Sequence, residues 1–187
     1  MSSVHYKARM IGVFAVSIAL SAAIDPSKRM ADGKQWMTRN LEIDNVSSYC
    51  YQNAEKNCRQ YGRLYTWEAA RRGCQALGEG WRLPTNEEWR QLAEHYGGLL
   101  EESGERGKAS YKSLLIGGNS GFNVVLAGNR DPDGRYARLE EHGFFWSASE
   151  TDATKAWFYN FGKGAQSLNR HKDGDKQLAL SVRCVRE

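Results

Sequence analysis

Five residues with metal-ligand chemistry fall at calcium-loop spacing. Asn129, Asp131, Asp133, Gly134 and Glu140 occupy positions one, three, five, six and twelve of an EF-hand loop. That chemistry needs a helix on each flank, and neither flank reads as one. Val124-Val125-Leu126 is β-branched beside glycine, and Gly143-Phe144-Phe145-Trp146 is strand-like. Arg130, Arg135 and Arg138 also set positive charge among the acids. The stretch reads as a Pro-Asp-Gly turn between two extended runs, with Gly134 at positive φ. His5, His95, His142 and His171 form no pair at metal spacing, and no Gly-x-Ser-x-Gly elbow occurs. Glu87-Glu88 fits a helix start, where acids suit the dipole, better than a catalytic pair. No catalytic residue, no metal and no cofactor is expected, and the chain is read as a non-enzyme.

Cys50, Cys58, Cys74 and Cys184 allow three disulfide connectivities. A four-thiolate zinc site is the alternative, but zinc-binding pairs stand two to four residues apart and these do not. Local pairing of Cys50 with Cys58 leaves Cys74 with Cys184, tying a helix to the last strand. The N-terminus favours an oxidising compartment. Lys7 and Arg9 precede the apolar run Ile11–Leu20, and Ser21-Ala22-Ala23 follows with small residues at cleavage positions. Residues 1–23 are read as a signal peptide, 24–30 as a linker and 31–187 as one domain, secreted, periplasmic or on the cell surface.

The elements that position these residues centre on two short helices. The first starts at Thr66, carries Ala70, Cys74 and Leu77 on one stripe, and ends at Gly78. An extended Trp81-Arg82-Leu83-Pro84 follows. Thr85 and Glu88 then form a capping-box pair, and Trp89, Leu92, Ala93 and Tyr96 give one apolar face before Gly97-Gly98 stops the helix. Strands are expected at Lys34–Thr38, Tyr61–Tyr65, Gly143–Ser147 and Ala156–Phe161. An irregular hairpin is expected around Cys50–Cys58, and a helical turn or two at Ala109–Ile116. In the strand Ala156–Phe161, Trp157, Tyr159 and Phe161 share one face, with Phe158 on the other. The last strand, Leu178–Val185, alternates: Leu180, Val182 and Cys184 face one way, Ser181 and Arg183 the other.

The 187 residues suit one domain with its own core. With 6 Trp, 9 Tyr and 6 Phe, and only 3 Pro against 19 Gly, they suit an ordered, loop-rich α+β domain. The formal charge is +4, of which Lys7 and Arg9 leave with the signal. So mild a balance gives no basic stripe for nucleic acid. The N-terminal apolar run is too short to span a bilayer, so no membrane span is expected in the mature chain.

Six motifs in order resemble one family: Asp32–Leu41, Tyr49-Cys50-Tyr51, Tyr61–Trp67, Gly80–Trp89, Gly143–Glu150 and Ser181–Val185. Together they resemble the Fibrobacter succinogenes major paralogous domain (FISUMP) family of exported bacterial proteins. That resemblance implies a C-type lectin-like α+β fold of two helices and a twisted antiparallel sheet. It implies the Cys74–Cys184 bridge as well, and no reaction. Lectins of that fold often bind sugar through calcium with Glu-Pro-Asn, Gln-Pro-Asp and Trp-Asn-Asp motifs, which this sequence lacks. The related fold of formylglycine-generating enzymes uses a redox cysteine pair, whereas the four cysteines here have structural readings.

The function expected is a non-catalytic binding module for a glycan or a cell-surface protein, with a structural or adhesin component that self-associates as the alternative and an enzyme of the formylglycine-generating-enzyme-like fold as a minor one. The polar segment Lys163–Lys176, set between two strands, is the expected surface, with Gln166, Asn169, Arg170 and Lys172 as ligand contacts. Trp157 and Tyr159 would floor it, although strand aromatics, Trp146 and Trp157 among them, are commonly buried. Trp67, Trp81 and Trp89 are expected in the core.

Overall fold

The computed structural model describes residues 26–44, 47–100 and 106–187; the expected signal segment lies outside them. Strands β1 (Ser27–Arg29) and β2 (Gln35–Met37) pair antiparallel, and β2 also pairs with the C-terminal β10 (Val185–Arg186). A two-stranded ladder joins β3 (Ser48–Tyr49) to β4 (Leu64–Tyr65). The main sheet has five strands: β5 (Ala127–Arg130), β6 (Tyr136–Leu139), β7 (His142–Glu150), β8 (Lys155–Gly162) and β9 (Ser167–Asp175). Their spatial order is β6-β5-β7-β8-β9, antiparallel except for one parallel pair between β5 and β7.

The fold is mixed α and β, with four α-helices among the described residues: α1 (Glu55–Tyr61), α2 (Trp67–Gln75) and α3 (Asn86–His95), of which α2 and α3 are the two main helices expected, and α4 (Arg106–Leu114), which overlaps the helical turn or two expected at Ala109–Ile116. The expected hairpin around Cys50–Cys58 is instead a 3₁₀ turn followed by α1. Residues 55–61 contain no Gly or Pro, so nothing breaks a helix there until Gly62. Helix α2 ends as a regular helix at Gln75, three residues before Gly78. Thr66 sits at its N-cap without a side-chain cap bond. Helix α3 starts as expected: the Glu88 backbone N–H donates to Thr85 Oγ1 at 3.2 Å, and the Thr85 N–H donates to Glu88 Oε2 at 2.8 Å.

Each face of the main sheet meets its own core. On one face Trp89 and Leu92 of α3 and Leu114 of α4 pack on Phe145, Tyr159, Phe161 and Leu168. On the other, Trp67, Ala70 and Cys74 of α2 pack with Trp146, Val182 and Cys184. The bridges are Cys50–Cys58 and Cys74–Cys184, as the local pairing left them. Trp67, Trp89 and Trp146 are buried, and Trp81 is half-buried.

The final segment is not one regular strand. Ala179 bonds Arg130, Leu180 bonds Tyr65, the Ser181 N–H donates to the Phe144 carbonyl, and Val185 bonds Arg82. Running between the two cores, it is covered on both sides, so Ser181 and Arg183 are as buried as Leu180, Val182 and Cys184. The segment expected as a polar loop after Gly162 is mostly strand. A tight turn over 163–166 returns the chain into β9, whose ladder with β8 runs from Ser167 opposite Gly162 to Asp175 opposite Lys155. Polar side chains at half-covered positions of a sheet edge are compatible with pairing, which is why composition alone suggested a loop.

Candidate functional site

The register of β7, β8 and β9 decides which side chains share a surface. Phe144 stands opposite Asn160, Phe158 opposite His171, and Asn160 opposite Asn169. With His142 two residues from Phe144, these groups project from the face turned away from α3 and α4. The α2 core covers the Trp146 end of that face and leaves the rest as a cleft of about 370 Å³. Leu178 and Leu180 of the final segment line it, as do Asn129 of β5, Asp131 of the turn that follows and Arg138 of β6.

Rings floor the cleft. His142 and Phe144 lie parallel with centroids 5.3 Å apart, Phe158 and His171 stack at 4.9 Å, and Phe144 meets Phe158 edge-on at 6.0 Å. Gly174 makes room for them: a Cβ there would lie 2.6 Å from Phe158 and 2.9 Å from Trp146. The polar wall is held in place by its own bonds. Arg138 donates to Asn129 Oδ1 at 2.9 Å, and Asn129 Nδ2 donates to Asp131 Oδ1 at 2.7 Å. His142 Nδ1 and Asn160 Oδ1 are hydrogen-bonded at 2.9 Å, which holds both side chains in place at the cleft wall. Flat apolar faces beside planar amide and guanidinium groups suit a flat, hydroxylated ligand.

The calcium-like spacing brings no ligand cage together. Gly134 has φ +94° in the expected turn, where its N–H donates to the Asp131 carbonyl. Asp133 pairs with Arg135, and Glu140 accepts from the Tyr61 hydroxyl on another side of the molecule. Among the described residues no group of three or more His, Cys, Asp or Glu converges as a metal site.

The six residues expected to bind ligand separate. Tyr159 is fully buried beneath α3, stacked on Trp89 at 5.2 Å, and its hydroxyl donates to the Asn86 carbonyl, so it cannot floor a surface. Trp157 is half-buried with the Arg170 guanidinium 5.2 Å from its ring, on the helix-bearing face. Lys172 and Asp173 together oppose Trp157, because β9 carries an extra residue between Gly174 and His171. Gln166 sits exposed in the turn at φ +49°. Asn169 alone shares the cleft's face. The cleft residues His142, Phe144, Phe158, Asn160 and His171 were missed. Alternation along the strand sets Phe158 on the face opposite Tyr159, and the same parity puts Asn160 on the Phe158 face.

The sequence model of the Fibrobacter succinogenes major domain matches residues 28–186. The chain belongs to that family. The matched region takes in every described element of this family member except the first residue of β1. No curated protein and no solved structure matches the chain. Among the described residues, no helix is long and apolar enough to cross a membrane. All four cysteines are bridged, so none offers a free thiol.

Proposed function

We propose that this family member is an exported, non-catalytic binding module of C-type lectin-like architecture, and that it holds a glycan in the ring-floored cleft of its main sheet. One observation carries the reading: parallel aromatic faces at His142–Phe144 and Phe158–His171 lie beside amides whose bonding is already set. Such rings accept the apolar face of a sugar, and amides exchange bonds with its hydroxyls. The two disulfides and the signal-like N-terminus support export to an oxidising compartment. A cell-surface setting is part of the proposal.

The test is a glycan array probed with the exported chain, with and without calcium. Binding that persists in chelator is expected, because the carboxylates at calcium-loop spacing are engaged elsewhere. Phe144→Ala, Asn160→Ala and His171→Ala should each weaken binding by about tenfold, that is ~1.4 kcal/mol. Arg170→Ala, Lys172→Ala and Gln166→Ala should leave it unchanged. If the second set abolishes binding and the first does not, the surface lies at the β8–β9 turn and edge. An array with no retained glycan defeats the proposal.

A further inference from the structure

A second concavity, of about 450 Å³, opens beside Pro26, between the residues that follow β2 and the end of α1. Arg39 and Arg59 stand exposed on its rim with Glu42, and neither arginine's side chain makes a hydrogen bond or ion pair among the described residues. Arg183 lies beneath them, fully buried. Its donors reach Asn40 Oδ1 at 2.7 Å and the carbonyls of Met37, Phe122 and Asn123 at 3.1, 2.6 and 2.7 Å. No described carboxylate touches it. Carbonyl dipoles satisfy its N–H groups but do not cancel its charge, so its field reaches the cleft through a poorly screening interior.

An apolar cleft of about 290 Å³ continues this concavity and shares Tyr61, Ile116 and Val125 with it. Tyr111, Leu115, Val124 and Leu126 line that half, with Lys163 at its edge. Glu140, the acid on this side, is already engaged by the Tyr61 hydroxyl at 2.6 Å. Ile116, where the halves meet, is 63% exposed and is the only large exposed hydrophobic among the described residues. One half of the groove thus carries two exposed arginines against the single carboxylate of Glu42, a net positive rim, and the other half is apolar. A polyanion would leave the apolar half unmatched, and a wholly apolar partner would leave the net positive charge of the Arg39–Arg59–Glu42 rim unmatched.

We propose that this groove docks an acidic segment of a partner protein: an extended peptide that sets carboxylates against Arg39 and Arg59 and an apolar side chain beside Ile116. The site is separate from the ring-floored cleft, so the two could be occupied together.

The test measures fluorescence anisotropy of a labelled Asp-Leu-Asp-Leu-Asp-Leu peptide with the exported chain, against a Lys-Leu peptide and a single-stranded DNA oligonucleotide. Saturable binding is expected for the acidic peptide alone, weakening as salt rises. Joint Arg39→Ala and Arg59→Ala substitution should weaken it by about tenfold or more, and Ile116→Ser by several-fold. Reversing both charges, Arg39→Glu with Arg59→Glu, should move binding to the Lys-Leu peptide, a gain that misfolding cannot produce. No saturable binding of the acidic peptide overturns the proposal, as does equal affinity for the DNA or indifference to Ile116→Ser. Dimerisation in sedimentation velocity that Ile116→Ser abolishes would assign the groove to a second copy and overturn it too.

Discussion

Arg183 carries its charge into the core without a carboxylate. Burial pushes its pKa down to about 9, still well above neutrality, so it stays a cation at pH 7. Four oxygens and the rings of Phe122 and Phe145, 4.8 and 5.8 Å from the guanidinium, hold it. Arg183→Met keeps most of the volume and strands all four acceptors. A loss of at least ~3 kcal/mol in urea denaturation is expected, partly recovered in Arg183→Lys; a Met variant as stable as the parent would show the bonds to be unimportant. Glu88 is the opposite case. Burial would raise its pKa, but the hydrogen bonds from Arg82 and the Thr85 N–H, with the charges of Arg82 and Lys34, bring it from the usual 4.5 to about 2. A folded pKa below the unfolded one stabilises fully above the unfolded value, and the contribution fades as pH falls through the folded one. Stability should therefore drop by ~2–3 kcal/mol between about pH 5 and pH 2, and Glu88→Gln should flatten that slope in acid denaturation curves.

At the scale of elements, β7, β8 and β9 place most of the site, and α3 backs the opposite face of the same sheet. Thr85→Ala removes one cap acceptor and should cost ~1 kcal/mol, read from the denaturation midpoint. In β9, Gly174 lies against the ladder where Phe158 and Trp146 fill the space a side chain would take. Gly174→Ala would also bring its Cβ to 3.0 Å from the Ala156 carbonyl, so Phe158 must shift. A loss of ~1–3 kcal/mol is expected. Glycan binding should fall with it, since Phe158 and His171 stack on each other. Unchanged binding in Gly174→Ala would mean that the ring pair does not contact the ligand.

For the whole molecule, the final segment and the long bridge join what the two cores separate. Cys74–Cys184 spans 110 residues and Cys50–Cys58 spans 8. In the loop-entropy account, removing the long bridge should cost ~5 kcal/mol and the short one ~2.5 kcal/mol. Paired Cys→Ser variants compared by urea denaturation test this, and equal losses would show that loop length does not set the difference.

Features decided by a few neighbouring residues were legible in the chain alone. The α3 capping box needs only Thr85 and Glu88, the turn at Gly134 needs only Asp131 to Arg135, and strand parity placed Tyr159 and Phe158 on opposite faces. The disulfide partners followed from spacing, because a local pair leaves one other pair. What covers each face was not legible. Alternation in Leu178–Val185 announced an inner and an outer side, yet a segment lying between two cores has no outer side, and Arg183 is buried with Cys184. Alternation alone offers Tyr159 as a platform, whereas α3 covers it and stacks Trp89 on its ring. The ring-floored cleft draws on Asn129, Arg138, Phe144, Phe158 and His171, which only strand register and the limited reach of the α2 core bring to one open surface. Periodicity states which side chains share a face; only packing decides whether that face meets protein or solvent.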